Sequence, residues 1–345
     1  MGKVKYLKTI GFNSNQPIGR RFNYPYDIDF SEDGRIFMIN RTSGLSTRGV
    51  RIQIFTFNEE WLGEFATGPG KEDDQFTVPV CLAISEDDKV FITDEYLNEV
   101  KIFDNQGGFV KRWGSDYLKG PAGIAHTEDG NLLVVEQYAN RISKYSRDGD
   151  LLHSWGEEGD KQGQFNLPWG MSLDKEGNVF VADWRNDRVQ SFTADGKWLA
   201  TFGSPGEAKS VGTGGNCYNA RVNGGIKHSE APVGTFNRPT GVCVDQDGDI
   251  YIADWLNNRV QVLTPEGRFI TEFTGDGDLS NMGISKLRSN PDMIRQRNGI
   301  RNFTPERVLW APCAVRIAQK NRVIIADTTR HRFQIYRKNT EPVLV

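Results

Sequence analysis

Apolar residues along the chain fall in short runs, broken by Asp-Gly turns at a spacing too regular to be incidental. The clearest runs are RIFMIN (35–40), KVFITD (89–94), NLLVVE (131–136), NVFVAD (178–183), DIYIAD (249–254) and RVIIAD (322–327). Turns such as SEDGR, TEDGN, DKEGN and DQDGD stand before them, and a second apolar strand stands before each turn, opening at Pro25, Pro79, Pro121, Pro168, Pro239 or Pro312. A polar corner then leads to a third strand: VRIQIF, EVKIF, RISKY, RVQSF, RVQVL or RFQIY. Five copies add a fourth: EWLGEF, GFVKRW, DLLHSW, KWLATF and RFITEF. Strands of this length joined by Asp-Gly turns predict antiparallel meanders of four strands.

A lone four-stranded sheet cannot bury both faces, whereas six arranged radially pack face to face and keep only short edges. The pattern therefore predicts an all-β fold, a six-bladed β-propeller of four-stranded antiparallel blades with one partly helical insertion. The sixth copy stops after its third strand, and residues 3–11 (KVKYLKTIG) look like a missing fourth, so the N-terminal strand is expected to close the last blade. Repeats from end to end imply one propeller domain over residues 1–345.

The string G-x-F-x-x-P, then D-G-N, then V-A-D-x-x-N-x-R-V-Q-x-F resembles the NHL repeat, and the resemblance covers practically the whole chain. That family includes ubiquitin-ligase scaffolds, RNA binders and lyases, so it implies fold more firmly than function. Among its enzymes, the chain is distantly similar to peptidyl-hydroxyglycine amidating lyase. That family's zinc histidines follow the proline of alternate blades, where this chain has Val80, Trp169 and Cys313. The resemblance also implies an arginine at the blade 1 corner, a tyrosine at the blade 3 corner and an arginine at the blade 4 corner. Arg41 and Tyr138 match, and Arg185 directly follows the aligned Trp184. With guanidinium neighbours lowering its pKa, Tyr138 would act as a tyrosinate base while a second arginine steadies developing negative charge.

Net charge is −3 with no Lys/Arg block, which argues against nucleic acid as a partner. No apolar run has the length of a signal-peptide core or a membrane span, so a soluble, cytoplasmic protein without a membrane partner is expected. Four cysteines lack C-x-x-C spacing and read as free thiols. No cofactor is predicted. Zinc lacks its ligands, and calcium would need convergent carboxylates where only Asp27 is an obvious candidate, which leaves a metal-dependent lactonase as an alternative.

Most connections between blades are short, but residues 204–238 and 275–311 are long insertions on one face, expected to wall in a mouth of the channel as a lid or as an oligomer contact. In the second, Asn290 before Pro291 and Thr304 before Pro305 signal helix caps. Its arginines are best read as surface pairing partners. In the first, Cys217 and His228 could form a nucleophile and base pair; His126, His153 and His331 fall at structural positions of the repeat.

The acidic residue ending the second strand recurs with an arginine beyond it, which marks a structural ion pair rather than a catalytic carboxylate. Variation sits beside it. Tyr96, Tyr138, Trp184 and Trp255 at the corners, with Tyr26, Asp27, Trp169, Thr240 and Cys313 at channel-lining positions, form a candidate small-molecule surface. The expected function is binding of a small organic ligand, with metal-independent lyase or hydrolase chemistry. A non-catalytic interaction module is the alternative.

Overall fold

A computed structural model describes residues 4–12, 19–42, 49–205 and 231–338. Six four-stranded antiparallel sheets form the blades of a propeller. Blade 1 comprises Pro25–Phe30, Ile36–Asn40, Arg51–Phe55 and Trp61–Phe65, and blades 2 to 5 repeat the meander. In blade 6 the strands Ala314–Ala318, Arg322–Asp327 and Arg332–Lys338 are completed by Val4–Ile10, which pairs antiparallel with the last of them. The predicted closure is therefore present.

The first strand of every blade faces the axis. In blades 3 to 5 the inner strands approach so closely that glycine is required where they meet: a Cβ on Gly170 would lie 2.3 Å from the Thr240 carbonyl, and one on Gly241 would lie 2.8 Å from that of Cys313. The Pro-x-Gly spelling is thus a packing requirement of the channel wall. The residue before the proline takes the left-handed region in five blades, at Tyr24, Gly120, Leu167, Arg238 and Ala311, consistent with the closure of the right-handed helical region before proline.

Among the described residues, five of the six seams between neighbouring blades carry a repeated bond. The left-handed residue at the corner accepts a hydrogen bond from the backbone N–H leading into the next blade: Asn98 from Gly120, Asn140 from Leu167, Asp187 from Arg238 and Asn258 from Ala311. At the closing seam His331 takes this place, its Nδ1 accepting from Tyr24 N at 2.9 Å. Between the sheets, rings interleave, as Phe165 does with Phe192. A fully buried ring of this kind contributes about 1.5–3 kcal/mol.

The acidic and arginine partners of the repeat meet as structural pairs: Glu136 with Arg141, Asp183 with Arg188, Asp254 with Arg259 and Asp327 with Arg332, at 2.7–2.9 Å. The repeat glutamine joins them. Gln261 Nε2 donates to the Thr235 carbonyl at 2.8 Å and to Asp254 at 3.2 Å, tying the loop that leads into the blade to its corner.

The insertion before blade 6 contains three helices, α1 (Asn281–Arg288), α2 (Pro291–Asn298) and α3 (Thr304–Arg307). Asn290 caps α2 as expected, accepting from Asp292 N at 3.0 Å. Thr304 does not cap α3. It is that helix's first residue, and Asn302 accepts its N–H instead. The helix α1 starts at a Ser280 cap that proline signals do not mark. Arg297 pairs with Glu306 at 3.0 Å and stacks on Phe303, and Arg295 pairs with Asp292. No described helix is long and apolar enough to cross a membrane.

Candidate functional site at the channel mouth

The corners between second and third strands and the loops leading into the blades share one face, the mouth. There the rings of Tyr26, Trp169, Trp184 and Trp255 form a continuous arc, with successive centroids 6.4, 6.2 and 6.4 Å apart. Tyr26 and Trp169 follow the inner-strand prolines of blades 1 and 4, which lie opposite one another in a six-bladed ring. Their contact therefore spans the channel axis. Trp184 and Trp255 open the short 3-10 turns at the corners of blades 4 and 5 and extend the arc outward. All four rings are half-buried.

Arginines lie against this arc. The Arg41 guanidinium sits 4.1 Å from the Tyr26 centroid, while Arg185 and Arg238 lie 5.7 and 4.8 Å from that of Trp184. Arg238 belongs to the loop leading into blade 5 and carries no repeat signature, so sequence reasoning passed over it.

Tyr138 stands at the rim, 58% exposed, packed on Gly120 and donating its hydroxyl to Glu95 Oε1 at 2.5 Å. Its pKa is pushed up to about 12 by partial burial and by the bond to the Glu95 carboxylate, while Arg41 opposes the shift. This reverses the expected direction. The blade 2 corner places the Glu95 carboxylate in direct hydrogen-bond contact with the phenol, so Tyr138 rests as a protonated donor and not as a tyrosinate.

The remaining candidates separate from the arc. Tyr96 is 70% exposed at the blade 2 corner. Thr240 is buried and donates to the Pro312 carbonyl at 3.3 Å, while the buried Cys313 thiol lies 3.7 Å from the Ala311 carbonyl. Asp27 lies within the channel, where its Oδ2 meets Arg316 at 2.8 Å and accepts from Leu82 N at 3.1 Å. Arg316 also reaches the Cys81 sulfur at 3.5 Å. Desolvation pushes the Cys81 thiol well up and raises Asp29, on the same strand face as Asp27, to about 6. Counting alternate residues onward from each inner-strand proline would have exposed this layer. Cys217 and His228 lie outside the described residues, as does most of the insertion that bears them. Among the described residues no group of three or more His, Cys, Asp or Glu side chains is placed to hold a metal ion.

Comparison with known proteins fits this architecture. Over 125 residues the chain is 28% identical to protein brain tumor of Drosophila melanogaster, a match covering 31% of this chain and 12% of that protein. Over 39 residues it is 49% identical to protein lin-41 of Caenorhabditis elegans, covering 11% of this chain and 3% of that one. The chain thus matches only a small part of either relative's length. Among solved structures, virginiamycin B lyase from Staphylococcus aureus with quinupristin superimposes with a TM-score of 0.54 at 16% identity, covering 99% of this chain and 90% of that one. An auxiliary nutrient binding protein from Bacteroides thetaiotaomicron gives a TM-score of 0.60 at 13% identity, covering 98% and 77%. At such identities the likeness speaks for fold alone. Residues 165–192 and 236–263, the first three strands of blades 4 and 5 with the phenylalanines that precede them, match the NHL repeat, so the chain is a six-bladed β-propeller carrying NHL repeats.

Proposed function

We propose that the mouth binds a small organic molecule against the Tyr26, Trp169, Trp184 and Trp255 arc, and that the protein acts on it as a metal-independent lyase or hydrolase. The observation that carries this reading is the arc itself. Four half-buried rings in sequence across the channel axis form a continuous aromatic surface suited to an organic ligand. A lyase exists on the same fold, but the assignment rests on this site and not on that likeness.

The chemistry falls to Arg41, Tyr138 and Arg185. In the resting site the phenol proton is held between Tyr138 and Glu95. As Tyr138 gives a proton to a leaving group, its anion would form in the field of Arg41, which lowers its pKa. Arg185, exposed beside Trp184, can stabilise negative charge developing on a bound carbonyl. Tyr96, Asp27, Thr240 and Cys313 remain at or beneath the mouth as further contacts. The exposure of Tyr96 and Leu256 on the rim supports the second reading, a non-catalytic module that binds a polypeptide.

The test is a fragment and ester library screened by thermal shift, with hits followed by tryptophan emission and by product formation. Hits that quench emission in the wild type and not in Trp184→Ala support a ligand at the mouth. A library that finds ligands only elsewhere on the molecule refutes it.

A further inference from the structure

The acidic residues around the mouth are largely committed to the framework. Asp94 accepts from the backbone N–H groups of Thr77, Val78, Tyr96 and Leu97. Glu136, Asp183, Asp254 and Asp327 are each paired with the repeat arginine of their own blade. The arginines along the arc are not committed in this way. Among the described residues, Arg41, Arg185 and Arg238 form no ion pair within 4 Å, and each lies against a ring of the arc.

Two of them show a sharper deficit. Arg41 Nη1 and Arg238 Nη1 are shielded from solvent and have no hydrogen-bond partner. Asp187, beside Arg238, spends Oδ1 on that residue's backbone N–H at 2.7 Å, and burial raises its pKa. Arg330 is excluded from the set, because it donates to the Pro305 carbonyl and has Asp327 and Glu306 nearby. A guanidinium stacked on a ring is oriented before any ligand arrives and keeps its in-plane N–H groups for a planar anion.

Resting on the reading of the mouth as a ligand site, we infer that its ligand is a planar organic anion. Its conjugated ring lies on the tryptophans, and a carboxylate or comparable oxyanion is received by Arg41 at one end of the arc or by Arg238 and Arg185 at the other. The arrangement explains why surplus arginines occupy one mouth of a protein whose net charge is −3.

Two probes of equal shape separate the two claims: 2-naphthoate and the neutral 2-naphthamide, titrated by tryptophan emission at low salt and again in 0.5 M NaCl. The expected result is quenching by both, with naphthoate bound at least tenfold more tightly and the preference reduced by salt. Arg41→Gln or Arg238→Gln should cut naphthoate affinity about tenfold and leave naphthamide unchanged. Arg268→Gln, on the opposite face, should change neither. Equal affinity for the two probes, or naphthoate binding that neither arginine variant alters, overturns the anionic ligand and leaves a ring-binding mouth standing. Binding of neither probe at millimolar concentration overturns the mouth as a site for aromatic ligands, and this inference with it. Should both glutamine variants fail to fold, the wild-type ratio of naphthoate to naphthamide decides alone.

Discussion

The closing seam should give way in acid because one blade spells its seam bond differently. At four other seams the acceptor is Asn or Asp, while between blades 6 and 1 it is His331, 8% exposed, with its ring edge-on to Tyr24 at 4.3 Å. Burial lowers its pKa to about 4, against about 6.5 in an unfolded chain. The unfolded state therefore takes up a proton near pH 6.5 and the folded state only near pH 4. The stability from this site is fully present above pH 6.5 and is lost as pH falls toward 4. A shift of this size corresponds to about 3 kcal/mol at full extent. His331→Asn keeps a side-chain acceptor, suits the left-handed backbone at φ 56°, and removes the titration. Urea unfolding should then show wild type and variant within about 1 kcal/mol of each other at pH 7.5, with the variant gaining by about 2–3 kcal/mol at pH 4.5. Other titrating groups, including His126 with its similarly lowered pKa, are common to both proteins and cancel in the difference. A difference that stays flat from pH 7.5 to 4.5 would refute the assignment.

Further outcomes follow from the framework and the mouth. Asp254→Ala strands the 2%-exposed Arg259, which retains Glu272 at 3.1 Å, so chemical unfolding should show a loss near the lower end of about 3–5 kcal/mol. Gly170→Ala forces a methyl toward the Thr240 carbonyl and should cost about 1–3 kcal/mol; a neutral result would mean that the inner strands can separate freely. Tyr138→Phe removes only a rim hydroxyl, so stability should change by less than about 0.5 kcal/mol while turnover of any substrate found is lost; unchanged turnover dismisses Tyr138 from the chemistry. Trp184→Ala should abolish ligand-dependent quenching with a small change in melting temperature, and collapse of the fold would instead make Trp184 a core residue.

Much of this architecture can be read from the sequence because the repeat states it several times over. The prolines, turns and Asp/Arg pairs mark strands whose neighbours are determined by order alone, and even the closure by residues 4–10 follows from one missing strand. The mouth is less legible because it is assembled across the axis. Tyr26 and Trp169 are distant in sequence and meet only because their blades are opposed. Glu95 controls Tyr138 from a neighbouring corner, so reading guanidinium partners alone gave the wrong sign for the phenol. Arg238 and Arg316 occupy positions that vary freely between blades, where only side-chain reach decides what they touch.

The pairing of Val4–Ile10 with Arg332–Lys338 also imposes an order in time. At ribosomal rates the first strand waits roughly 15–65 s for its partner to be synthesised. Throughout that interval the flank of the first blade that will meet blade 6 has no final neighbour, and the nascent protein is an open arc with apolar sides and unpaired strand edges. Completion is then a single late event that joins both ends of the arc at once. Chaperone dependence and aggregation during synthesis should therefore concentrate at this last step, and in the finished molecule the same latch must part before the ring can open.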